Sequence, residues 1–346
     1  MSKNLRLSLA GVAAVTALAV APAAGQAAAV TAGGGTTTVR LTSATTKGLT
    51  ALGVQASPIS SAKASKGGIA FPITGGRIDD RTGAGSLDHA GGLRLRKGSA
   101  QIALRDFRLK VGKRSTLSAR VGTARVTVFR LSTSRARISR SGLQTRVSGV
   151  RVQLSSVGAA ALNRTFHVHA FRAGQTIATA SAAVTPRTIA LRGRDTALTL
   201  DPSTAAALSG LGVQVAPAGA ARLDGGAVRF PISGGSVNAA TLAGRIDHRG
   251  GLRLSAGSTA VTLDQPRISL GRTNSLSALI GTTRTTIADL DLGAAKTATS
   301  GRRITVSGVA VRLNATAASA LNSAFGTTAL TPGTPLGTAT VTAEAR

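Results

Sequence analysis

Cysteine, tyrosine and tryptophan are absent from this chain of 346 residues, and its one methionine is the initiator Met1. The absence of cysteine excludes disulfides and thiolate metal sites. Tyrosine and tryptophan are therefore not available for stacking on nucleic-acid bases, and the phenylalanines that recur in both halves, Phe71, Phe166, Phe230 and Phe325, are expected in the core. We therefore expect no specific nucleic-acid partner, although the chain is strongly basic.

Carboxylate side chains are scarce, with 12 Asp and Glu against 42 Lys and Arg, and Glu344 is the single glutamate. Few residues are therefore left for mechanisms that use paired carboxylates. The chain also lacks the Gly-x-Ser-x-Gly and His-Glu-x-x-His motifs and the glycine-rich loop that holds phosphates in nucleotide-binding enzymes. We predict that the protein is not an enzyme and has no catalytic residues.

A short apolar leader is the longest hydrophobic run. Lys3 and Arg6 precede the stretch LSLAGVAAVTALAV, and the small residues of GQAAAV follow it. This three-part order is typical of a secretory signal peptide. We predict a signal peptide at 1–29, cleaved just after Ala29, and no transmembrane segment after cleavage. The expected location is secreted or associated with the cell surface.

Positive charge is concentrated in the first half of the chain. From Val30 to Thr196 there are 27 basic and 5 acidic residues, and from Ala197 to Arg346 there are 13 and 7, giving net charges of +22 and +6. Such a field attracts polyanions. The expected partners are cell-wall polyanions or an anionic lipid surface. The alternative is a solvated basic surface that keeps an alanine-rich protein soluble.

The chain repeats itself with an offset of 159 residues. DHAGGLRL at 88–95 matches DHRGGLRL at 247–254, and FPITGG from Phe71 matches FPISGG from Phe230. A collinear repeat of this length indicates a duplicated domain of ordinary size. We predict the following division: a first domain at 30–186, a linker at 187–196 and a second domain at 197–346.

Alternation of apolar and polar residues dominates each copy, as in LRLR, RVTVFRL and TAVTL. This period of two, with glycine- and serine-rich breaks, predicts antiparallel strands. DPSTAAALSGLG from Asp201 and ATAASALNSAFG from Ala315 are helical in pattern. We predict two tandem homologous domains, each all-β and β-sandwich-like with two short helices. The alternation places a set of arginines on the outer faces of the sheets: Arg94, Arg96, Arg120 and Arg130.

The motif order GAVRFPISGGSVN, AGRIDHRGGLRL, AVTLDQPRISLG and NSLSALIG resembles the HtaA-type (heme-transport-associated) domain of exported actinobacterial proteins. The resemblance implies a secreted or wall-associated β-rich module, and some members of that family capture heme. It also implies a tyrosine heme ligand near the opening helix. Leu52 and Leu211 stand at that place here, so heme is a candidate cofactor without the family's tyrosine.

Histidine is then the remaining donor for a heme iron. His89 and His248 are the candidate ligand-binding residues because both copies retain them beside a glycine pair, with Arg94 and Arg253 as neighbouring cations. Two glycines let a flat ligand or another backbone approach closely. The structural alternative is a bulged strand whose imidazole is bonded to a loop carbonyl.

Two further residue pairs have predicted roles, one as a metal site and one in turns. His167 and His169 in FHVHAF are predicted to point to one side of a strand, a spacing that can chelate a transition metal. Asp88 and Asp247 are predicted to cap a turn.

Together these features favour an exported, non-enzymatic binding protein for heme or another small hydrophobic ligand. The alternative is a structural, adhesive cell-wall protein that binds polyanions through its arginine-rich first domain.

Overall fold

A computed structural model describes residues 29–346, which form two domains of the same topology. The predicted signal peptide lies outside the described residues, except for Ala29, which begins the first strand. Within the described part, no helix combines the length and the hydrophobicity needed to cross a membrane.

The first domain has twelve strands and two helices. They are β1 (Ala29–Leu41), α1 (Ser43–Ala51), β2 (Gln55–Ile59), β3 (Lys63–Ser65), β4 (Gly68–Asp79), β5 (Gly85–His89), β6 (Gly92–Lys97), β7 (Ala100–Val111), β8 (Thr116–Val121), β9 (Ala124–Ser132), β10 (Arg137–Ser141), β11 (Gln144–Leu154), α2 (Ser156–Phe166) and β12 (Thr176–Pro186).

The second domain repeats this order. Its elements are β13 (Thr188–Leu200), α3 (Pro202–Gly210), β14 (Gln214–Ala218), β15 (Arg222–Asp224), β16 (Ala227–Asn238), β17 (Gly244–His248), β18 (Gly251–Ala256), β19 (Thr259–Leu270), β20 (Ser275–Ile280), β21 (Thr283–Asp291), β22 (Lys296–Ser300), β23 (Arg303–Leu313), α4 (Ala315–Phe325) and β24 (Pro335–Ala345).

Each domain is built on one antiparallel sheet that closes on itself. In the first, eight strands follow the order β7-β5-β4-β1-β12-β11-β9-β8, and pairing of β8 with β7 completes the ring; the second repeats this with β19 and β20. The predicted fold class, mostly β with two short helices in each of two tandem domains, is confirmed. Opposite parts of a single continuous sheet face each other across the core, instead of the two separate sheets of a true sandwich.

Helices α3 and α4 lie within the two segments whose sequence is helical in pattern. The Asp201 carboxylate accepts a hydrogen bond from the Thr204 amide at 3.1 Å, and Gly212, just past the end of α3, has a φ of +69°. Asn314 caps α4, which stops at Gly326 in the left-handed conformation. Helix α2 packs on β7 and β9, and α4 packs on β19 and β21. The helices therefore cover one part of each ring.

The predicted alternation decides which side chains enter the core. Leu95, Ala119 and Phe129 are buried, whereas their neighbours Arg96 and Arg120 are exposed. The arginines lie on the outside of the ring, so a dense run of positive charge does not disturb the apolar interior.

The predicted linker at 187–196 is wrong. Strand β12 ends at Pro186 and β13 begins at Thr188, so only Arg187 lies between them. Ile189 and Leu191 are each 5% exposed and belong to the core of the second domain. The arginine- and glycine-rich segment is the opening strand of that domain, which therefore begins at 188. A β-bulge at Arg192–Arg194 interrupts the alternation of this strand, and the charged residues there made it look like a linker.

Candidate functional site

In the first domain, the strand end of β5 places His89 inside the ring. The residue is 5% exposed. Its Nε2 lies 2.7 Å from Oγ1 of Thr37 on β1, and its Nδ1 lies 3.2 Å from the carbonyl oxygen of Phe107 on β7. The imidazole therefore links two strands that are not neighbours in the sheet.

The second domain repeats the arrangement. His248 is 4% exposed, with Nε2 at 2.7 Å from Thr196 Oγ1 and Nδ1 at 2.9 Å from the Pro266 carbonyl oxygen. A carbonyl oxygen can only accept, so Nδ1–H donates to it and Nε2 accepts the threonine hydroxyl proton. Burial lowers the pKa of both imidazoles. Each histidine is neutral, with both nitrogens engaged.

The glycine pair beside each histidine admits backbone. A Cβ on Gly91 would lie 2.4 Å from the Ala62 nitrogen, and one on Gly92 would lie 2.2 Å from the Leu104 carbonyl oxygen. Gly250 with Ala221 and Gly251 with Leu263 show the same approaches, at 2.2 and 2.1 Å. Neighbouring strands and turns occupy this space, and the imidazole is bonded to a strand carbonyl; the bulge beside it lies in the partner strand, β4 in the first domain and β16 in the second.

Each imidazole also lines an apolar cavity in its ring. The cavity beside His89 has a volume of about 60 Å³, and the one beside His248 has a volume of about 110 Å³. Apart from the histidine and threonine side chains, the walls of both are formed by aliphatic residues, phenylalanine and proline. A pocket near each histidine is what the small-ligand hypothesis requires.

Two phenylalanines account for the smaller cavity of the first domain. Phe107 and Phe129 line it, and Phe107 packs edge-on against Phe71 at 5.1 Å between ring centroids. The second domain has Pro266 and Ala288 at the equivalent places. The loss of two phenyl rings leaves space that the surrounding aliphatic side chains do not fill.

The predicted ligand-binding arginines do not join the histidines. Leu93 lines the cavity with His89, whereas Arg94, the next residue of β6, lies on the opposite face of the sheet. Arg253 is exposed on β18 in the same way. Side chains alternate along a strand, so the combined site proposed from the sequence is wrong.

Asp88 and Asp247 do not cap turns, and this prediction is also wrong. Asp88 Oδ1 lies 2.6 Å from Arg108 Nε, and Asp247 Oδ1 lies 2.7 Å from Arg267 Nε. Each pair joins neighbouring strands on the outside of the ring, a partnership that only the register of the sheet reveals.

His167 and His169 do not share a strand face. His167 is the C-cap of α2, with a φ of +53°, and His169 lies in the loop that follows. Both are exposed, and Gly326 stands at the place of His167 in the second domain. Among residues 29–346, no group of three or more His, Cys, Asp or Glu is placed to hold a metal ion. The strand on which the metal prediction depended is absent at this point.

Heme does not fit the residues near the two cavities. Ligand pockets have volumes of about 300–1,000 Å³, well above either cavity. His89 and His248 already use both nitrogens, so neither has a free lone pair for iron. At the place of the family's tyrosine, Leu52 is half-buried against the core and Leu211 is 38% exposed. Neither leucine can donate to a metal.

The register shows a cluster that the sequence analysis missed. Arg105 on β7 pairs directly with Arg120 on β8, which pairs with Arg125 on β9. All three side chains are exposed on one outer face. We call these three residues the arginine row. Comparison of the repeats could have indicated it, because the second domain has Asp264 and Leu279 in place of the first two.

Acidic residues are too few to neutralise the first domain. Residues 29–186 include 24 Lys and Arg but only 4 Asp, and residues 188–346 include 15 Lys and Arg against 8 Asp and Glu. Three of the four aspartates of the first domain form ion pairs: Asp80 with Arg140, Asp88 with Arg108 and Asp106 with Arg120. Its outer surface therefore retains a large net positive charge.

No family model matches the chain, and no curated protein does. Among solved structures, the chain is similar to the C-terminal domain of HtaA from Corynebacterium glutamicum, with 17% identity, a TM-score of 0.38 and coverage of 46% of this chain and 99% of that one. A domain-swapped dimer of a variant of that domain is 20% identical, with a TM-score of 0.32 and coverage of 42% and 91%. A solved HtaA domain is thus among the matches, as the sequence motifs predict.

Proposed function

We propose that this is an exported, non-enzymatic binding protein of the cell surface or exterior, whose first domain binds polyanions. The observation that supports it is the charge of the first domain, whose residues 29–186 include 24 Lys and Arg but only 4 Asp. The leader sequence and the HtaA-type resemblance support the location.

The ring makes these charges accessible. Its alternating strands place apolar side chains inside and arginines outside, and the long arginine stems lie over the sheet while the guanidinium groups reach water. An anionic polymer or lipid surface gains from contact with several of them at once, with release of its counterions. Cell-wall polymers and anionic lipid headgroups are the partners that meet an exported protein with this surface.

Salt and charge variants of the whole chain test the proposal. The chain from residue 30 is applied to immobilised poly(glycerol phosphate) and eluted with salt. One variant changes three exposed arginines of the first domain to glutamine: Arg130, Arg137 and Arg146. The matched control changes three exposed arginines of the second domain to glutamine: Arg249, Arg253 and Arg272. We expect the first variant to elute at clearly lower salt than the control, because only the first domain contacts the polymer.

Equal elution of the two variants would contradict the assignment to the first domain. Retention that persists in about 1 M salt would contradict an electrostatic contact altogether, because at that ionic strength charges are screened within about 3 Å.

The cavity of the second domain favours a second candidate function, the binding of a small apolar molecule. It has about 110 Å³ of space between the His248–Thr196 pair and the helices α3 and α4, which contribute Leu208 and Leu321. An engineered apolar cavity of about 150 Å³ stays dry and binds benzene or xenon. The ligand of this cavity would be benzene-sized or smaller.

Benzene and xenon test this candidate through thermal unfolding. We expect both to stabilise the second domain, and Ala288→Phe, which restores the residue found at Phe129, to abolish the effect. The reciprocal variant Phe129→Ala should create a benzene response in the first domain while costing it about 3–5 kcal/mol. A wild-type chain whose unfolding temperature does not respond to either molecule would refute the candidate.

A further inference from the structure

The arginine row is an unfavourable arrangement for a sheet. Directly opposite residues on neighbouring strands have Cβ atoms about 4.5–5.5 Å apart, and like charges at such positions are destabilising. Arg105 faces Arg120, and Arg120 faces Arg125, so the repulsion occurs twice in succession. Arg94 on β6 pairs with Ala103 and is a diagonal neighbour of Arg105, which adds a fourth cation.

Nearby carboxylates compensate only weakly. Among residues 29–346, the one acidic residue that forms an ion pair with the row is Asp106, whose Oδ2 lies 3.9 Å from Arg120 Nε, with both side chains 55% exposed. Such a distant, solvated pair contributes little. Arg105 donates to the Ser60 hydroxyl, at 3.0 Å, which is uncharged. The row therefore keeps nearly all of its positive charge.

The second domain shows that the fold does not need this charge. In the same register, Asp264 pairs with Leu279 and Leu279 with Arg284. Arg284 donates to the Gln265 carbonyl oxygen at 3.1 Å, as Arg125 does to that of Asp106 at 2.8 Å. The third arginine is therefore explained by its contact with the backbone bulge. Arg105 and Arg120 have no such equivalent and are what distinguishes the first domain.

Guanidinium groups in a row suit oxyanions. Arginine presents a planar set of donors that matches phosphate oxygens in pairs, and one phosphate offers oxygens to several arginines at once. Strands lie about 4.8 Å apart, so the row extends over about 10 Å across β7, β8 and β9. That length accommodates more than one phosphate group of a chain that lies across the strands.

We propose that the outer face of β7, β8 and β9 is a phosphate-binding site in which Arg105 and Arg120 contact the phosphate groups of a linear phosphodiester polymer. The inference rests on the proposed function of the first domain and names its contact site. The ligand's charge removes the repulsion that the row otherwise imposes on the sheet.

The test compares two double variants of the chain from residue 30 that remove the same charge. Arg105→Gln with Arg120→Leu alters the row, and Arg137→Gln with Arg146→Gln alters exposed positions on β10 and β11. Fluorescence anisotropy with labelled poly(glycerol phosphate) at about 50 mM salt should show a loss of affinity of about tenfold for the row variant and about twofold for the control. The row variant should unfold at the same temperature as the wild type or higher, because like-charge repulsion has been removed.

Equal losses in the two variants would overturn the site and leave the proposed function standing, whereas a wild-type chain that does not bind the polymer would overturn both. Poly-glutamate binding with the same affinity and the same loss would contradict a phosphate ligand. Displacement by inorganic phosphate at matched phosphate concentration would contradict recognition of a polymer. Failure to displace the polymer supports a ligand held through several groups.

Discussion

At the scale of the residue, each ring holds one buried histidine in its interior. His89 and His248 each accept from a threonine and donate to a carbonyl, and burial lowers the pKa of both. They are fixed as neutral hydrogen-bonding groups. A proton added to Nε2 would occupy the lone pair that accepts the threonine hydrogen bond. It would also place a charge in an apolar cavity.

This predicts a loss of stability in mild acid. The unfolded chain binds protons at histidine below the ordinary pKa of 6.5, whereas the folded chain resists them, so the free energy of unfolding falls as the pH drops below that value. At about pH 5 the loss is at most about 2 kcal/mol for each buried imidazole. Chemical denaturation at about pH 7 and pH 5 measures it.

Exposed histidines provide the control for this effect. His167→Gln with His169→Gln should leave the dependence on pH unchanged, because both side chains are at the surface. Replacement of His89 and His248 by asparagine should flatten it, at a lower overall stability. A wild-type chain with the same stability at both pH values would refute the neutral, buried assignment.

At the scale of the element, the glycines after β5 and β17 set how closely the strands approach. Gly91 has a φ of +83° and its Cα faces the Ala62 backbone, whereas Gly98, with a φ of +59°, has open space around it. Both lie beside β6. A methyl group would meet the Ala62 backbone at Gly91 and nothing within 4 Å at Gly98.

We therefore expect Gly91→Ala to cost about 3 kcal/mol or more, since backbone must move and a left-handed residue is strained. Gly98→Ala should cost about 1 kcal/mol, from the left-handed conformation alone. Thermal unfolding of the two variants compares them. Equal costs would show that the close approach at Gly91 is unimportant.

Strand β13 gives a second prediction at this scale. Ile189 is buried in the core of the second domain, so Ile189→Ala should destabilise that domain by about 2–5 kcal/mol. Arg192→Ala, an exposed neighbour on the same strand, should change stability by less than about 0.5 kcal/mol. Hydrogen exchange within residues 188–346 measures both. An Ile189→Ala variant whose stability is unchanged would support a linker at 187–196 instead.

The strands and helix ends could be predicted because they depend on residues that are close together in the sequence. Alternation placed the arginines outside, and Asp201 and Gly326 marked helix ends. The partners of Asp88 and the arginine row depend on strand register, which brings residues 20 and 15 positions apart side by side. The alternation of β13 is present on both sides of a β-bulge at Arg192–Arg194, which interrupts it and hid the strand in the sequence. The cavity volumes depend on the packing of many side chains and have no local signature.

At the scale of the whole molecule, duplication has produced two rings with different surfaces and interiors. The first domain fills its cavity with phenylalanine and concentrates positive charge outside. The second has fewer cations, more carboxylates and the larger cavity. We propose that one fold supports two specialisations: a surface for polyanions in the first copy and an internal space in the second.

The most direct test of the central claim is an arginine footprint. The chain from residue 30 is modified with an arginine-specific reagent, with and without poly(glycerol phosphate), and the modified positions are identified by mass spectrometry. We predict protection within residues 29–186, strongest at Arg105 and Arg120, and none at Arg253 of the second domain. Equal protection of both domains, or no protection at all, would contradict the proposal that the first domain binds polyanions.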